Sequence, residues 1–455
     1  MYAIRYLILL ISLICPAVVL SQSYYVDASK GSDFNSGISP DSAWKTLSAL
    51  KIQGQRKGFL PGDRVLLKKG EIWNETLYIF GEGNEDHNVI YGSYGKGNKP
   101  KIIKGIYHRD YMHKLSPLKR NEFITIEDIE VTGAKEGLDI RSINHITVRN
   151  IDITNCQTGI TLASETDPLD NWLIENVRVK NCKGYGLFSY SDINHMTVRK
   201  LETAYNGKDG AAFRTGENNW IEDSIAHHNG EDGFDVGGFT GKTSFIRCVS
   251  WENRSAGFSI KAKGKGQATT NILYCISYKN GDQGLEVGND SNSNTYNSVF
   301  FSNGHIGIDL ENQYHHSISN SIIFGNGESH PNGFQVSYLR GAQKLVTSSN
   351  CYGVQSKGRN IYVKKEKRFL NLEEWQAYSE NQYDSGSMVA DPDFINSDRG
   401  LFELKPDSPC IDMGRQLSSD LKYGIAPGSV WVNSVNVLDQ NLYGSGWEIG
   451  AFVYK

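Results

Sequence analysis

Short runs in which apolar and polar residues alternate recur through most of the chain, for example "HITVRNIDIT" at His145–Thr154 and "TSFIRCVSW" at Thr243–Trp251. A period of two marks strands that turn one face to a core. Each run is followed by a turn, usually Asn-Gly, and then by a second strand opened by glycine: "GLDI", "GITL", "GLFS", "GAAF", "GFDV", "GFSI", "GLEV", "GIDL" and "GFQV". The opening glycines, Gly137, Gly159, Gly186, Gly210, Gly233, Gly257, Gly284, Gly307 and Gly333, stand 22 to 27 residues apart. A unit of that length has no room for a long helix. The Leu-x-x-Leu-x-Leu ladder of a leucine-rich repeat is missing, and the 3.6 period of a helical solenoid is missing too. The pattern predicts an all-β fold, a right-handed parallel β-helix whose coils stack over a narrow apolar interior.

Stacking brings equivalent positions of successive coils to about 4.8 Å. Asn206, Asn229, Asn253, Asn280, Asn303 and Asn326 then form an amide ladder at one bend. Cys156 falls on Cys182 and Cys248 on Cys275, with parallel Cβ vectors that favour buried thiols over disulfides. The expected organisation is a cleaved secretory signal over 1–21, an N-terminal cap with the first coils over 22–120, a central stem over 121–350, and C-terminal coils with a helical insertion and end cap over 351–455. The N-terminal cap should contain a short amphipathic helix around Trp44 and Leu47. "NLEEWQAYSE" should form a helix capped by Asn371 with Glu374 returning the bond.

Composition adds a folded, turn-rich character: 39% hydrophobic residues and 47 glycines in 455. A formal net charge of −4 gives no reason to expect a nucleic-acid partner. No apolar run after the leader is long enough to span a bilayer. The expected product is a monomer that is secreted, periplasmic or held at the cell surface.

Chemistry concentrates in the middle coils. Arg214, Asp235, Lys261, Glu286, Asp309 and Glu311 fall on one outward face, and Asp209 stacks under Asp232 with Glu231 and Asp235 beside them. Four carboxylates this close require protonation or a cation, and an all-oxygen set selects calcium before magnesium. A solvated acidic turn with splayed side chains is the alternative.

The coil "NGEDGFD", Asn229–Asp235, resembles the calcium-binding coil of family 9 polysaccharide lyases of pectate and rhamnogalacturonan type, which are parallel β-helix enzymes. In that family an Asp-Asp-Gly-Phe-Asp cluster, with one Asp from the preceding coil, holds a catalytic calcium. The resemblance covers about four of nine coils. It implies that Glu231, Asp232, Asp235 and Asp209 are the calcium ligands, with an acidic, uronate-containing polysaccharide as substrate and β-elimination as the reaction. The family's base is a lysine in a Gly-Phe-Lys strand. Here "AGFSIKAKG" places Ser259 at that position, and Lys261, two residues on and on the same face, is the candidate base. Its pKa would have to fall, which calcium, Lys263 and Arg214 nearby would promote. Arg214, Lys263, Glu286 and Asp309 are the candidate substrate contacts, Arg214 through a bidentate carboxylate clamp or else as a salt bridge to Asp235.

Two other readings stay open. A β-helix glycoside hydrolase would use paired carboxylates among Asp235, Glu286 and Asp309. A non-catalytic polysaccharide binder would stack sugars on Phe188, Tyr190 and Trp251. The pairs His227-His228 and His315-His316 are expected to point to opposite faces and not to chelate.

Overall fold

The computed structural model describes residues 21–108, 121–164, 169–214, 216–237, 241–262, 266–339, 344–353, 359–380 and 382–455. The expected leader, up to residue 20, and Lys263 lie outside the described residues. The chain winds into a parallel β-solenoid of about 11 turns. A middle turn holds three strands, Lys242–Ile246, Val249–Trp251 and Phe258–Ala262, and the next holds Ala268–Leu273, Ile276–Tyr278 and Gln283–Asn289. Pairing is parallel: Phe245 lies on Ile272, Val249 on Ile276 and Ile260 on Val287. Inward residues fill the interior, where Phe234 and Phe258 stack at 5.4 Å with Phe245 against both.

The bends explain the repeat. In each coil a left-handed residue turns the chain, such as His228 (φ 55°), Glu252 (φ 50°) or Lys279 (φ 53°). The sharp corner is therefore the residue before the Asn, not the Asn-Gly pair that the sequence suggested. Such a corner costs about 1–2 kcal/mol for a residue with a Cβ, and the ladder beside it fixes the chain there. Asn253 Oδ1 accepts from the backbone N–H and Nδ2 of Asn229 at 3.0 and 2.9 Å, and Asn280 does the same for Asn253 at 3.2 and 2.9 Å. The ladder runs unbroken from Asn206 to Asn326. The opening glycines leave it room: a Cβ on Gly257 would lie 2.1 Å from Ser277 Oγ and 2.7 Å from Asn280 Nδ2.

The register departs from expectation at the last of these coils. Ile306 pairs with Phe334 and Asp309 with Ser337, so Gln335, not Gly333, takes the place above Gly307. The longer Gln335 side chain accepts from Asn326 Nδ2 at 2.8 Å and terminates the ladder. The six described cysteines are buried free thiols.

At the N-terminus the helix is Leu47–Arg56, capped by the Thr46 side chain, with Trp44 before it. The later helix is Leu372–Tyr378, with both bonds of the Asn371–Glu374 capping box formed. Among the described residues no helix is long and apolar enough to cross a membrane. The C-terminal segment does more than close the end. Phe402, Leu404, Ile425 and Ile449 form a second core with Ile225, Val249, Ile276, Val299 and Ile322. Trp431 reaches as far back as Arg247, donating Nε1–H to its carbonyl at 2.6 Å.

Candidate active site

The third strand of each coil carries the outward chemistry, because alternation sends Phe234 and Val236 inward and leaves Asp235 between them. Pairing aligns Ala212, Asp235, Ser259, Glu286 and Asp309 in one column, and Arg214, Gly237, Lys261 and Gly288 in a second. Asp209 and Asp232 precede the opening glycines of adjacent coils. The Asp232 N–H donates to Asp209 Oδ1 at 2.8 Å, and the Ala256 N–H donates to Asp232 Oδ1 at 2.8 Å. Each carboxylate is thus pinned through one oxygen.

These groups open onto a cleft of about 620 Å³ lined by Asp209, Glu231, Asp232, Asp235, Asp282, Arg254 and Lys261. Acids outnumber bases, and the imbalance is felt at the buried members. Burial first, and then Asp235, Asp232 and Glu231, push the Asp209 carboxyl up to about 7. Asp235 is raised by burial and by Asp232, although Lys261 and Arg214 oppose the shift. Arg214 Nη1 lies 3.7 Å from Asp235 Oδ2. Lys261 Nζ lies 3.3 Å from Glu286 Oε2, to which Ser259 also donates at 3.3 Å.

Two expectations change here. Burial alone would lower the Lys261 pKa, but Glu286, Asp232 and Asp235 outweigh it and hold the ammonium above the usual lysine value. Among the described residues the neighbours that dominate Lys261 are the carboxylates of Glu286, Asp232 and Asp235. Asp309 does join the column, but Lys364 Nζ sits 2.6 Å from its Oδ1 and the Ser337 hydroxyl donates to the same oxygen, so a substrate would have to displace both partners. Lys364 also reaches Glu311 at 3.3 Å. It directly follows the strand Ile361–Val363, which stacks on Val336–Tyr338 beyond the last of the glycine-opened coils, so no opening glycine tied it to this face.

The histidine expectation fails at one pair. His228 is a left-handed corner, so its ring turns to the side of His227, and the two Nδ1 atoms stand 2.9 Å apart. His315 and His316 do separate, partly exposed and buried respectively. Trp251 lies away from the cleft, stacked between His227 (4.1 Å) and Tyr278 (5.8 Å).

The donor set suits a hard cation: it is all oxygen, carries uncompensated charge, and leaves one oxygen of Asp209 and one of Asp232 without a hydrogen bond among the described residues. As placed, no three His, Cys, Asp or Glu side chains among the described residues are close enough to share a metal ion. The cost of crowding these carboxylates is measurable. Asp209 titrates near 4 in the unfolded chain and near 7 in the folded one, so the stability it contributes is present below pH 4 and lost as pH rises through 7. In chelator, Asp209→Asn is expected to be about 2–4 kcal/mol more stable than the parent at pH 8 and no more stable at pH 4. Denaturant titrations at the two pH values measure this.

A parallel β-helix with an acidic, lysine-bearing cleft on its outer face belongs to the architecture of carbohydrate-active β-helix proteins. Residues 24–320 match the model of the Pel9A-like right-handed β-helix region, and the chain belongs to that family. The crystal structure of pectate lyase Pel9A superposes with a TM-score of 0.54 at 16% identity, covering 95% of this chain and 96% of that one. A rhamnogalacturonan lyase gives a TM-score of 0.47 at 15% identity over 88% of this chain and 98% of that one. Lacto-N-biosidase of Bifidobacterium longum subsp. longum is 28% identical over 159 residues, 33% of this chain and 9% of that enzyme's length.

Proposed function

We propose that the protein is an exported, calcium-dependent polysaccharide lyase that cleaves a uronate-containing polysaccharide by β-elimination. The observation that carries this is the single cleft uniting Asp209, Glu231, Asp232 and Asp235 with Lys261. Held by those carboxylates, calcium would supply Lewis-acid stabilisation of the negative charge that develops on the substrate's own carboxylate. Lys261 Nζ removes the proton from C5 of the uronate. The electron pair left behind forms the C4–C5 double bond as the C4–O bond breaks, and the departing oxygen takes up a proton. Arg214, already 3.7 Å from Asp235, orients the substrate carboxylate. Lys261 must be neutral to act, and neutralising the acids around it lowers its pKa in the required direction.

Calcium binding should raise the melting temperature of the parent and leave Asp235→Asn nearly unmoved, with a calorimetric titration giving the same ranking. Equal responses would remove Asp235 from the ligand set.

Hydrolysis is the second reading, favoured by the sequence match to lacto-N-biosidase. Asp235 and Glu286 both have raised pKa values, chiefly through burial. They stand two strands apart, roughly 9.6 Å by strand spacing, near the upper end of the separation used by inverting enzymes. Hydrolysis would generate reducing ends without a double bond and would survive chelation.

A further inference from the structure

The column that carries Asp235 continues two coils toward the N-terminus to Phe188, through Ala212. Around Phe188 the aromatic groups meet in a corner. Tyr185 stacks on it at 4.4 Å and 25°, and Tyr190 stands perpendicular to it at 4.4 Å and 90°. Lys208 Nζ lies over Tyr185 at 4.9 Å, so that ring is already engaged by both Phe188 and Lys208. Tyr190 is different: it is 66% exposed, and an exposed aromatic ring held against other aromatics is a platform whose face is still in water. Arg214 links this corner to the cleft, with its guanidinium carbon 6.0 Å from the Phe188 centroid and Nη1 3.7 Å from Asp235.

We propose that Tyr190, backed by Phe188 and flanked by Arg214, forms a stacking subsite for a second sugar unit of the same acidic chain, so that the polysaccharide lies along the solenoid axis from the acidic cleft toward the N-terminal coils. The inference rests on the lyase reading of the cleft and adds the direction of the chain and a contact distant from the reacting bond. The apolar C–H face of a pyranose packs on the Tyr190 ring, while the ammonium of Lys208 matches the carboxylate such a unit carries and Arg214 stays with the unit in the cleft. The corner lies two strand spacings from Asp235, roughly 9.6 Å, so a substrate must extend past the cleaved unit to reach it. Tyr190 is a binding residue in this scheme and takes no part in proton transfer.

Affinity electrophoresis in gels containing polygalacturonate, rhamnogalacturonan or alginate tests the subsite without requiring turnover, and product formation is measured in parallel. Tyr190→Ala should lose most of the retardation shown by the parent and raise KM for the polymer about 5- to 10-fold at unchanged kcat, the effect of one lost stacking contact. Tyr190→Phe, which keeps the ring, should behave as the parent does. Equal retardation and KM for parent and Tyr190→Ala, in an active protein, would overturn the subsite and leave the lyase reading standing. Neither retardation nor product on any of the three would overturn both.

Discussion

Lys261→Ala is expected to lower kcat on a uronate polysaccharide by about 10²- to 10⁴-fold, the usual contribution of a positioned general base. Its melting temperature should stay close to the parent's, since the side chain is 44% exposed and its described ion pair is with Glu286 at 3.3 Å. Lys261→Arg should not rescue activity, because a guanidinium keeps its proton at any working pH. The same geometry gives the pH dependence a sign. The acids around Lys261 raise its pKa, so activity at limiting calcium should rise toward alkaline pH. Full activity in Lys261→Ala would remove this residue from the chemistry.

Asn280→Ala is expected to be the most damaging single change to the stem. Asn280 is buried in the ladder. Its Nδ2 donates to Ser250 O at 3.1 Å, Ser277 Oγ at 3.1 Å and Asn303 Oδ1 at 3.0 Å, while its Oδ1 receives the backbone and side-chain N–H groups of Asn253. Alanine leaves several of these partners in the dry interior with no replacement, and each unsatisfied group costs about 1–3 kcal/mol. A loss of about 3–5 kcal/mol in denaturant titration is the expected sum, moderated by rearrangement within the ladder. A loss below about 1 kcal/mol would mean that water enters and satisfies the broken bonds.

The ladder also shows why the fold was readable. A solenoid repeats one packing problem, so each coil must present asparagine at the bend and glycine beside it, and Gly233 and Gly257 announce where the next strand begins. The acidic cluster was readable for the same reason: Asp209 under Asp232 is a register statement, and parallel pairing made it true. What the repeat does not encode was lost. Lys364, which neutralises Asp309, directly follows the strand Ile361–Val363, which stacks on Val336–Tyr338 but has Asn360 where most coils open with glycine, so the repeat pattern did not mark it. The shift that puts Gln335 over Gly307 depends on a side chain completing the ladder from another backbone position. The approach of His227 and His228 depends on a left-handed corner that carries no glycine signal. The upward shift at Lys261 comes from Glu286, Asp232 and Asp235 together, whose side-chain positions strand spacing alone does not supply.

The central claim, that one cleft combines a calcium-binding carboxylate cluster with a lysine base, is tested most directly by ultraviolet absorbance of the unsaturated uronate. The protein is mixed with polygalacturonate, rhamnogalacturonan and alginate in turn, first with calcium and then with chelator. The account predicts a rise on at least one of them that chelation abolishes and calcium restores. No rise on any, accompanied by new reducing ends that persist in chelator, would contradict it and assign the cleft to hydrolysis.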